Sequence, residues 1–469
     1  MLYNSIVFFF FFIIVSSLYF ILAHRYRWVL LLVASCYFYM ASVPVYILIL
    51  FAVMCIDYIA GIFIENATGR KRLAFLISSI VANVGILAIF KYYNFFVDNF
   101  AHLLHNIGLN AHLPAISILL PIGLSFHTFQ SMSYTIEVYR GNQKAEKHLG
   151  IYALYVMFYP QLVAGPIERP QNMLPQFREK KEFDYARVTN GLRLMVWGLF
   201  KKVVIADRLA VIVDMVYANP HRQNGPSLII GTFFFAFQIY CDFSGYCDIS
   251  IGAARVMDFR LMQNFNFPFR ARNITDYWRR WHISLSTWFS DYVFSPFTTK
   301  YRHWGKWVIV SGLLLTFFIS GLWHGAAWTF IIWGVLHGVA ICYEYLTLKT
   351  RKRVFSAMPA WLSVCIGRSG TFIFLCFTWI FFRAKSIRDA IYIVKHTITD
   401  TPQQILFALH GGHTTTPYDA DKLGFVIAIV LILLLESVHH WQNKVIVSTW
   451  FVKKPLLFRW AVYLGVLLC

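Results

Sequence analysis

The sequence predicts an all-helical polytopic membrane protein, one integral membrane domain over residues 1–469, and three observations carry that prediction. The 469 residues are 58% hydrophobic and 18% aromatic but only 14% charged, with clearly positive mean hydropathy, a composition foreign to soluble globular chains. Apolar runs of about 17 to 25 residues, enough to cross a hydrocarbon core roughly 30 Å thick, recur from end to end. No soluble module interrupts them.

Taken in order, spans are predicted near 4–23, 28–41, 45–64, 73–91, 115–136, 187–206, 227–253, 307–323, 326–346, 361–382, 424–440 and 455–468. No basic residue precedes the first, while Arg25 and Arg27 follow it. That pattern predicts a retained span with its N-terminus outside, not a cleaved signal peptide. The next basic clusters, Arg70 to Arg72 and Arg140 to Lys147, each come after an even number of further spans, so all three fall on the cytoplasmic side. The net charge of +20, from 42 Lys and Arg against 22 Asp and Glu, is spread through loops beside spans. It suits anionic lipid headgroups, and no basic domain stands apart to bind nucleic acid. The eight cysteines are scattered and form no CxxC pair, so neither a disulfide framework nor a metal site is indicated. The paired repeats of many secondary transporters are missing.

Three stretches fit this scheme badly. In "MFYPQLVAGPIERPQNMLPQF", Met157 to Phe177, four prolines break any helix while the front half stays apolar. Broken backbone at membrane depth is tolerated only where protein or a cavity satisfies it, which predicts a re-entrant or interfacial segment lining a cavity. In "NFNFPFRARNITDYWRRWHISLSTWFSDYVF", Asn264 to Phe294, Asn273 can cap a helix with Asp276 as its partner, and Asp276 and Arg280 form an i,i+4 pair. Trp278, Trp281 and Trp288 alternate there with Arg and Ser, so an amphipathic helix at an interface or inside the bundle is expected. The polar segment 399–423 reads as an exposed loop facing outward.

Ionisable side chains inside spans cost roughly 2.5 to 3.5 kcal/mol for Asp, Lys or Arg on insertion scales, so each suggests a role. His324, in "ISGLWHGAAWTFIIWGVLHG", has glycines at 321 and 325 and no charged neighbour in sequence. A neutral imidazole in a dry pocket can serve as general base for a hydroxyl, and it can equally make an interhelical hydrogen bond. His337 lies about 220° around an ideal helix from His324 and is read as packing. His282 is a candidate second ring, and His127, in "PIGLSFHTFQ", a candidate cavity liner. In "YCDFSGYCDIS", Tyr240 and Ser244 share a helical face, and Asp242 and Asp248 could orient a histidine, bind a cation or pair with Arg270, Arg272 or Arg279. A transporter or channel built on Asp242 and Asp248 is therefore an alternative. The signatures of phosphate loops, GxSxG hydrolases, HExxH proteases and dinucleotide folds are absent from the sequence.

Together, "YPQLVAGPIERPQNMLPQF", "YCDFSGYCDISIGAARVMDFRLMQNFNFPFRARNITDYWRRWHISLSTWFSDYVF" and "GLWHGAAWTFIIWGVLHG" resemble the membrane-bound O-acyltransferase family. They look most like its bacterial branch of alginate and peptidoglycan O-acetylation subunits and the D-alanyl transfer protein of teichoic acid modification. "SPFTTKYRHWGK" departs from the Gly-Gly-Asn-Arg-like turn of many alginate-type relatives. The resemblance implies a ring of tilted helices, with re-entrant and amphipathic segments, around a central tunnel with a thin waist. By resemblance His324 is the catalytic histidine and His282 a second active-site position, with Asp242 and Asn273 in the polar lining. An acyl group, acetyl in this branch, would pass from a cytoplasmic thioester, acetyl-CoA or an acyl carrier protein, to an extracytoplasmic acceptor on an SGNH-type partner and then to polysaccharide. The thioester is a substrate, and no resident cofactor is implied. Trp323 or Trp281 could donate an indole N–H to the oxyanion. A lipid-directed acyltransferase is the nearest enzymatic alternative, and the bacterial cytoplasmic membrane is the expected location.

Overall fold

Every regular element among the described residues is helical, as the unbroken 3.6-residue apolar patterning requires. The computed structural model describes residues 1–41, 43–109, 123–163, 165–410, 421–442, 454, 455, 457 and 459. The chain divides into two compact units, Met1–Met195 with Cys247–Gln263, and Val196–Tyr246 with Asn264–Cys469.

The chain opens with α1 (Ile6–Ile21), α2 (His24–Met40), α3 (Tyr46–Asn66) and α4 (Gly69–Leu87). Ser5 caps α1 by accepting the N–H of Phe8 at 3.1 Å. A π turn, Ala88–Tyr92, carries α4 on into α5 (Tyr93–Asn106), because no Gly or Pro in "KYYNFFVDNF" stops it. The span predicted at 73–91 is therefore longer than expected. Next comes α6 (Leu124–Arg140), the described part of the span predicted at 115–136. Asp57 of α3 is fully buried and accepts from Ser79 (2.6 Å) and from Asn83 (2.9 Å to each oxygen) of α4, and Ser79 also donates to Thr135 of α6 at 3.0 Å. This polar cluster ties three helices together where apolar contact alone gives little preference in lipid.

Beyond α7 (Leu149–Met157), residues 158–163 and 165–169 are non-helical, and Phe158 to Leu162 are almost wholly buried. Their backbone is satisfied by protein. Tyr3 donates to the carbonyls of Tyr159 (2.9 Å) and Pro160 (2.8 Å), and Ser35 accepts the N–H of Tyr159 (3.0 Å). Pro170 opens α8 (Pro170–Gln176) at the position where its missing N–H costs nothing. Buried Glu168 accepts from Met262 N–H (2.5 Å) and Asn172 (2.7 Å), which ties the start of α8 to the backbone at residue 262.

The helix α9 (Tyr185–Leu199) passes through a π turn, Phe200–Ala206, into α10 (Asp207–Ala218), and α11 (Gly225–Val256) follows. Short α12 (Ile274–Trp278), α13 (Ile283–Phe289) and α14 (Ser295–Lys300) lead to the apolar pair α15 (Lys306–His324) and α16 (Trp328–Leu346). Then come α17 (Leu348–Ser356), α18 (Ala360–Arg383), α19 (Ile387–Leu409) and α20 (Lys422–Gln442). The core of the second unit includes Phe234, Trp333, Leu375, Trp379 and Leu435, none more than 2% exposed.

Seven helical runs among the described residues are long and apolar enough to cross a membrane: Tyr46–Asn66, Gly69–Asn106, Gly225–Val256, Lys306–His324, Trp328–Leu346, Ala360–Arg383 and Lys422–Gln442. The predicted spans at 4–23 and 28–41 are shorter helices of 16 and 17 residues, and that at 455–468 lies outside the described residues apart from 455, 457 and 459. Leu48, Phe51 and Ile59 of α3 and Val430 and Leu433 of α20 are half or more exposed, an outward apolar face suited to lipid. The loop predicted from Thr399 is corrected, since α19 runs on through Pro402 to Leu409; residues 411–420 of that stretch lie outside the described residues.

Candidate active site

His324 is the last residue of α15, and Gly325 takes an extended backbone that turns the chain into α16. The two helices cross at glycines. A Cβ on Gly321 would lie 2.5 Å from the Phe330 carbonyl oxygen, and one on Gly334 would lie 2.3 Å from that of Phe317. This approach, open only to glycine, sets His324 against the Trp333 ring, with centroids 4.9 Å apart and planes at 85°, and against Phe382 at 5.2 Å. The His337 ring also packs on Trp333, with centroids 4.9 Å apart and planes at 63°. The expected 220° separation of His324 and His337 assumed one helix, and the break at 325–327 removes that premise. Trp333 instead bridges the two rings. The packing role read for His337 has a visible basis, since its Nδ1 accepts the indole N–H of Trp278 at 3.2 Å.

The Trp-His segment is not the single amphipathic helix expected. It is broken at His282, which has the left-handed φ of 43° and ψ of 55° and is 2% exposed. Asn264 holds the break: its backbone carbonyl accepts the N–H of Ile283 (3.0 Å) and its side chain accepts that of Ser284 (3.1 Å). A non-glycine residue in this region costs of order 1–3 kcal/mol and persists where its surroundings enforce it, often at functional sites. The imidazole packs edge-on against Phe243 at 4.6 Å and meets Trp323 at 6.3 Å, and Trp323 in turn meets His324 at 4.8 Å. Burial holds His282 well below the usual histidine range, and charge on His324 pushes it the same way. Burial thus favours the neutral form of the His282 ring.

The expected cap forms: Asn273 accepts the N–H of Asp276 at 2.7 Å, Asp276 pairs with Arg280 at 2.8 Å, and Asp276 also accepts the N–H of Arg272 at 3.3 Å. Asn273 is thereby engaged in helix capping. The start of α12 is also held by Glu344 of α16, which sequence reading passed over. Its carboxylate accepts the N–H groups of Ile274 (2.8 Å) and Thr275 (2.9 Å) and the Thr275 hydroxyl (2.7 Å). A lone carboxylate in an apolar run was the available signal.

Trp281 packs against Phe265 (5.1 Å), Trp379 (5.3 Å) and Tyr277 (5.6 Å). Asp242 pairs with Lys202 at 2.5 Å, and Lys202 also meets Asp207 at 2.8 Å, which corrects the expected arginine partners. The ion pair balances the carboxylate that prompted the transporter alternative. Tyr240 and Ser244 form the expected polar stripe, Ser244 accepting from Lys201 at 2.9 Å and Tyr240 meeting His439 Nε2 at 3.2 Å. Asp248 is partly buried in the first unit. His127 belongs to that unit too, where its Nδ1–H donates to the Val156 carbonyl at 3.2 Å.

Beside the histidines of the second unit lies a cavity of about 460 Å³, lined by Thr316 and Ser320 of α15 and by Trp278, Arg279, Ile283 and Ser286 among others. Thr316, Ser320 and His324 recur every four residues, so one face of α15 carries hydroxyls from the cavity to the imidazole. Ile283 follows His282 directly. The arrangement offers a half-buried imidazole at His324, a buried one at His282 and a mostly apolar chamber with a few hydroxyls and Arg279.

Half-buried His324 and buried His282 sit together in a polytopic helical protein, and residues 147–386 match the model of the membrane-bound O-acyltransferase family. The chain belongs to that family and is an O-acyltransferase. It is 35% identical over 393 residues to the peptidoglycan O-acetyltransferase of Helicobacter pylori, covering 78% of this chain and 72% of the relative. It is 38% identical over 385 residues to the probable alginate O-acetylase of Pseudomonas aeruginosa, covering 80% and 70%. With the teichoic acid D-alanyltransferase of Bacillus subtilis it shares 28% identity over 284 residues, covering 58% and 71%.

Proposed function

We propose that this protein moves an acetyl group from a cytoplasmic thioester, acetyl-CoA or an acyl carrier protein, to an extracytoplasmic hydroxyl, so that a cell-surface or exported polysaccharide becomes O-acetylated. The observation that carries the reading is the His324–Trp323–His282 cluster beside a hydroxyl-edged cavity of acyl size. The relatives named for peptidoglycan and alginate favour acetyl and a polysaccharide acceptor.

In this mechanism neutral His324 removes the proton of the acceptor hydroxyl as its oxygen attacks the thioester carbonyl. The C–S bond then breaks, and the imidazolium returns the proton to the departing thiolate. His282 keeps the pocket apolar and uncharged beside the base. An SGNH-type protein outside the membrane is the proposed first acceptor or its carrier. The protein sits in the bacterial cytoplasmic membrane, with Arg25 and Arg27 and the clusters at 70–72 and 140–147 on the cytoplasmic side, as the charge bias favours.

The test is His324→Ala in a strain deleted for the native gene. Base-labile acetate on the exported polysaccharide should disappear while the protein stays at its normal membrane level. Unchanged acetylation would overturn the assignment, and label found in the lipid fraction instead would favour a lipid-directed enzyme.

A further inference from the structure

Around Trp333 the second unit buries several hydrogen-bond donors that meet no acceptor. Trp333 and Trp379 are 1% exposed and Tyr277 and His337 are fully buried. Among the described residues Trp333 Nε1, Trp379 Nε1, the Tyr277 hydroxyl and His337 Nε2 have no hydrogen-bond partner. For His337 the tautomer follows from its neighbour: Trp278 can only donate, so Nδ1 accepts and the neutral ring carries its proton on Nε2. The four groups belong to one cluster. Trp333 stacks on Trp379 at 6.0 Å and 29° and meets His337 at 4.9 Å, and Tyr277 stacks over His337 at 6.3 Å.

A donor buried without an acceptor costs folding free energy, and four in one cluster are a heavy burden on the small net stability of a domain. Such a cost persists where the donors serve a guest, and a set made of N–H and O–H groups is complementary to oxygen that only accepts. The donor of this set in ring contact with His324 is Trp333, at 4.9 Å.

We infer that Trp333, with Trp379 stacked behind it, is a catalytic residue whose indole N–H binds the carbonyl oxygen of the transferred acyl group and the oxyanion formed from it. The inference rests on the acyl-transfer reading with His324 as base. As His324 takes the acceptor's proton, the new O–C bond forms and the carbonyl π pair moves onto the oxygen facing the Trp333 N–H. When that pair returns, the C–S bond breaks, and the thiolate leaves with the proton held by His324. Sequence alone suggested Trp323 or Trp281 for this role. Trp281 lies in the aromatic packing of Phe265 and Trp379.

The experiment follows the initial rate of polysaccharide acetylation in cells after induction, normalised to membrane protein. Trp333→Phe should slow it about 10²-fold, the usual effect of losing one oxyanion donor. Trp379→Phe, expected to slow it by about tenfold, tests the same cluster should Trp333→Phe fail to accumulate. Incorporating benzothienylalanine at position 333 replaces only the N–H by sulfur, so it keeps the ring and its packing. A rate as low as that of Trp333→Phe supports the donor role. A rate within threefold of tryptophan restored by the same suppression method overturns it. If His324→Ala abolishes transfer while benzothienylalanine leaves it intact, only this inference fails; if His324→Ala leaves transfer intact, the parent reading fails.

Discussion

Replacing Gly334 by alanine perturbs the seam on which the position of His324 depends. The added Cβ would stand 2.3 Å from the carbonyl oxygen of Phe317 and 2.9 Å from the Cα of Gly321. Relaxed C···O contacts fall near 3.3 Å, so α15 and α16 must part by about 1 Å. Both obstructing atoms are backbone, and no rotamer change relieves them. The same seam carries the 4.9 Å contact of His324 with Trp333, and a misplacement of about 1 Å costs about 10²-fold in rate. Overpacking adds a stability loss of about 1–3 kcal/mol. Polysaccharide acetylation per unit of membrane protein and the thermal midpoint of the purified protein read the two effects separately. Gly370→Ala on α18, where a Cβ meets no atom within 4 Å, is the matched control and should keep the parental rate. If Gly334→Ala acetylates within threefold of the parent, the close crossing does not position the base.

Glu344→Ala strands the N–H groups of Ile274 and Thr275, each costing about 1–3 kcal/mol, so the thermal midpoint and activity should fall together, while Glu344→Gln, which keeps an acceptor oxygen, should lose less of both. Asp57→Ala leaves Ser79 and Asn83 without their shared acceptor and should lower the thermal midpoint markedly, with Asp57→Asn between it and the parent. Burial raises the Glu168 carboxyl from its ordinary 4.5 to about 7, partly offset by the bonds from Met262 and Asn172. An acid with a raised folded value contributes stability that is complete below the unfolded value and is lost as pH climbs to the folded one. The thermal midpoint should therefore decline between about pH 4.5 and 7, and Glu168→Gln should flatten that decline.

The sequence made the spans of α3, α11, α15, α16, α18 and α20 legible, because each is a long apolar run bounded by polar residues. The Asn273 cap was legible for a different reason: its partners lie within one turn. The break at His282 was not, since "WRRWHISLSTW" has no helix breaker and the left-handed turn is enforced by Asn264, eighteen residues earlier in sequence. The partner of Asp242 was sought among the arginines that follow it, whereas Lys202 precedes it by a whole helix. Trp333 carried no local signal, because its meeting with His324 depends on two glycines thirteen residues apart. Local chemistry survives translation into sequence pattern, and contacts made by folding a hairpin back on itself do not.

The helix α16 joins two anchors. Its N-terminal end follows His324 across a three-residue turn, and near its C-terminal end Glu344 grips the start of α12, the segment that leads to His282. At 1.5 Å per residue its 19 residues span about 28 Å. The helix thus acts as a ruler whose length sets where one histidine's support stands relative to the other. A single inserted residue between Trp333 and Glu344 would swing the carboxylate about 100° around the axis and release α12, although every side chain remained present. In this protein a change of register inside α16 should be harder to tolerate than most substitutions along it.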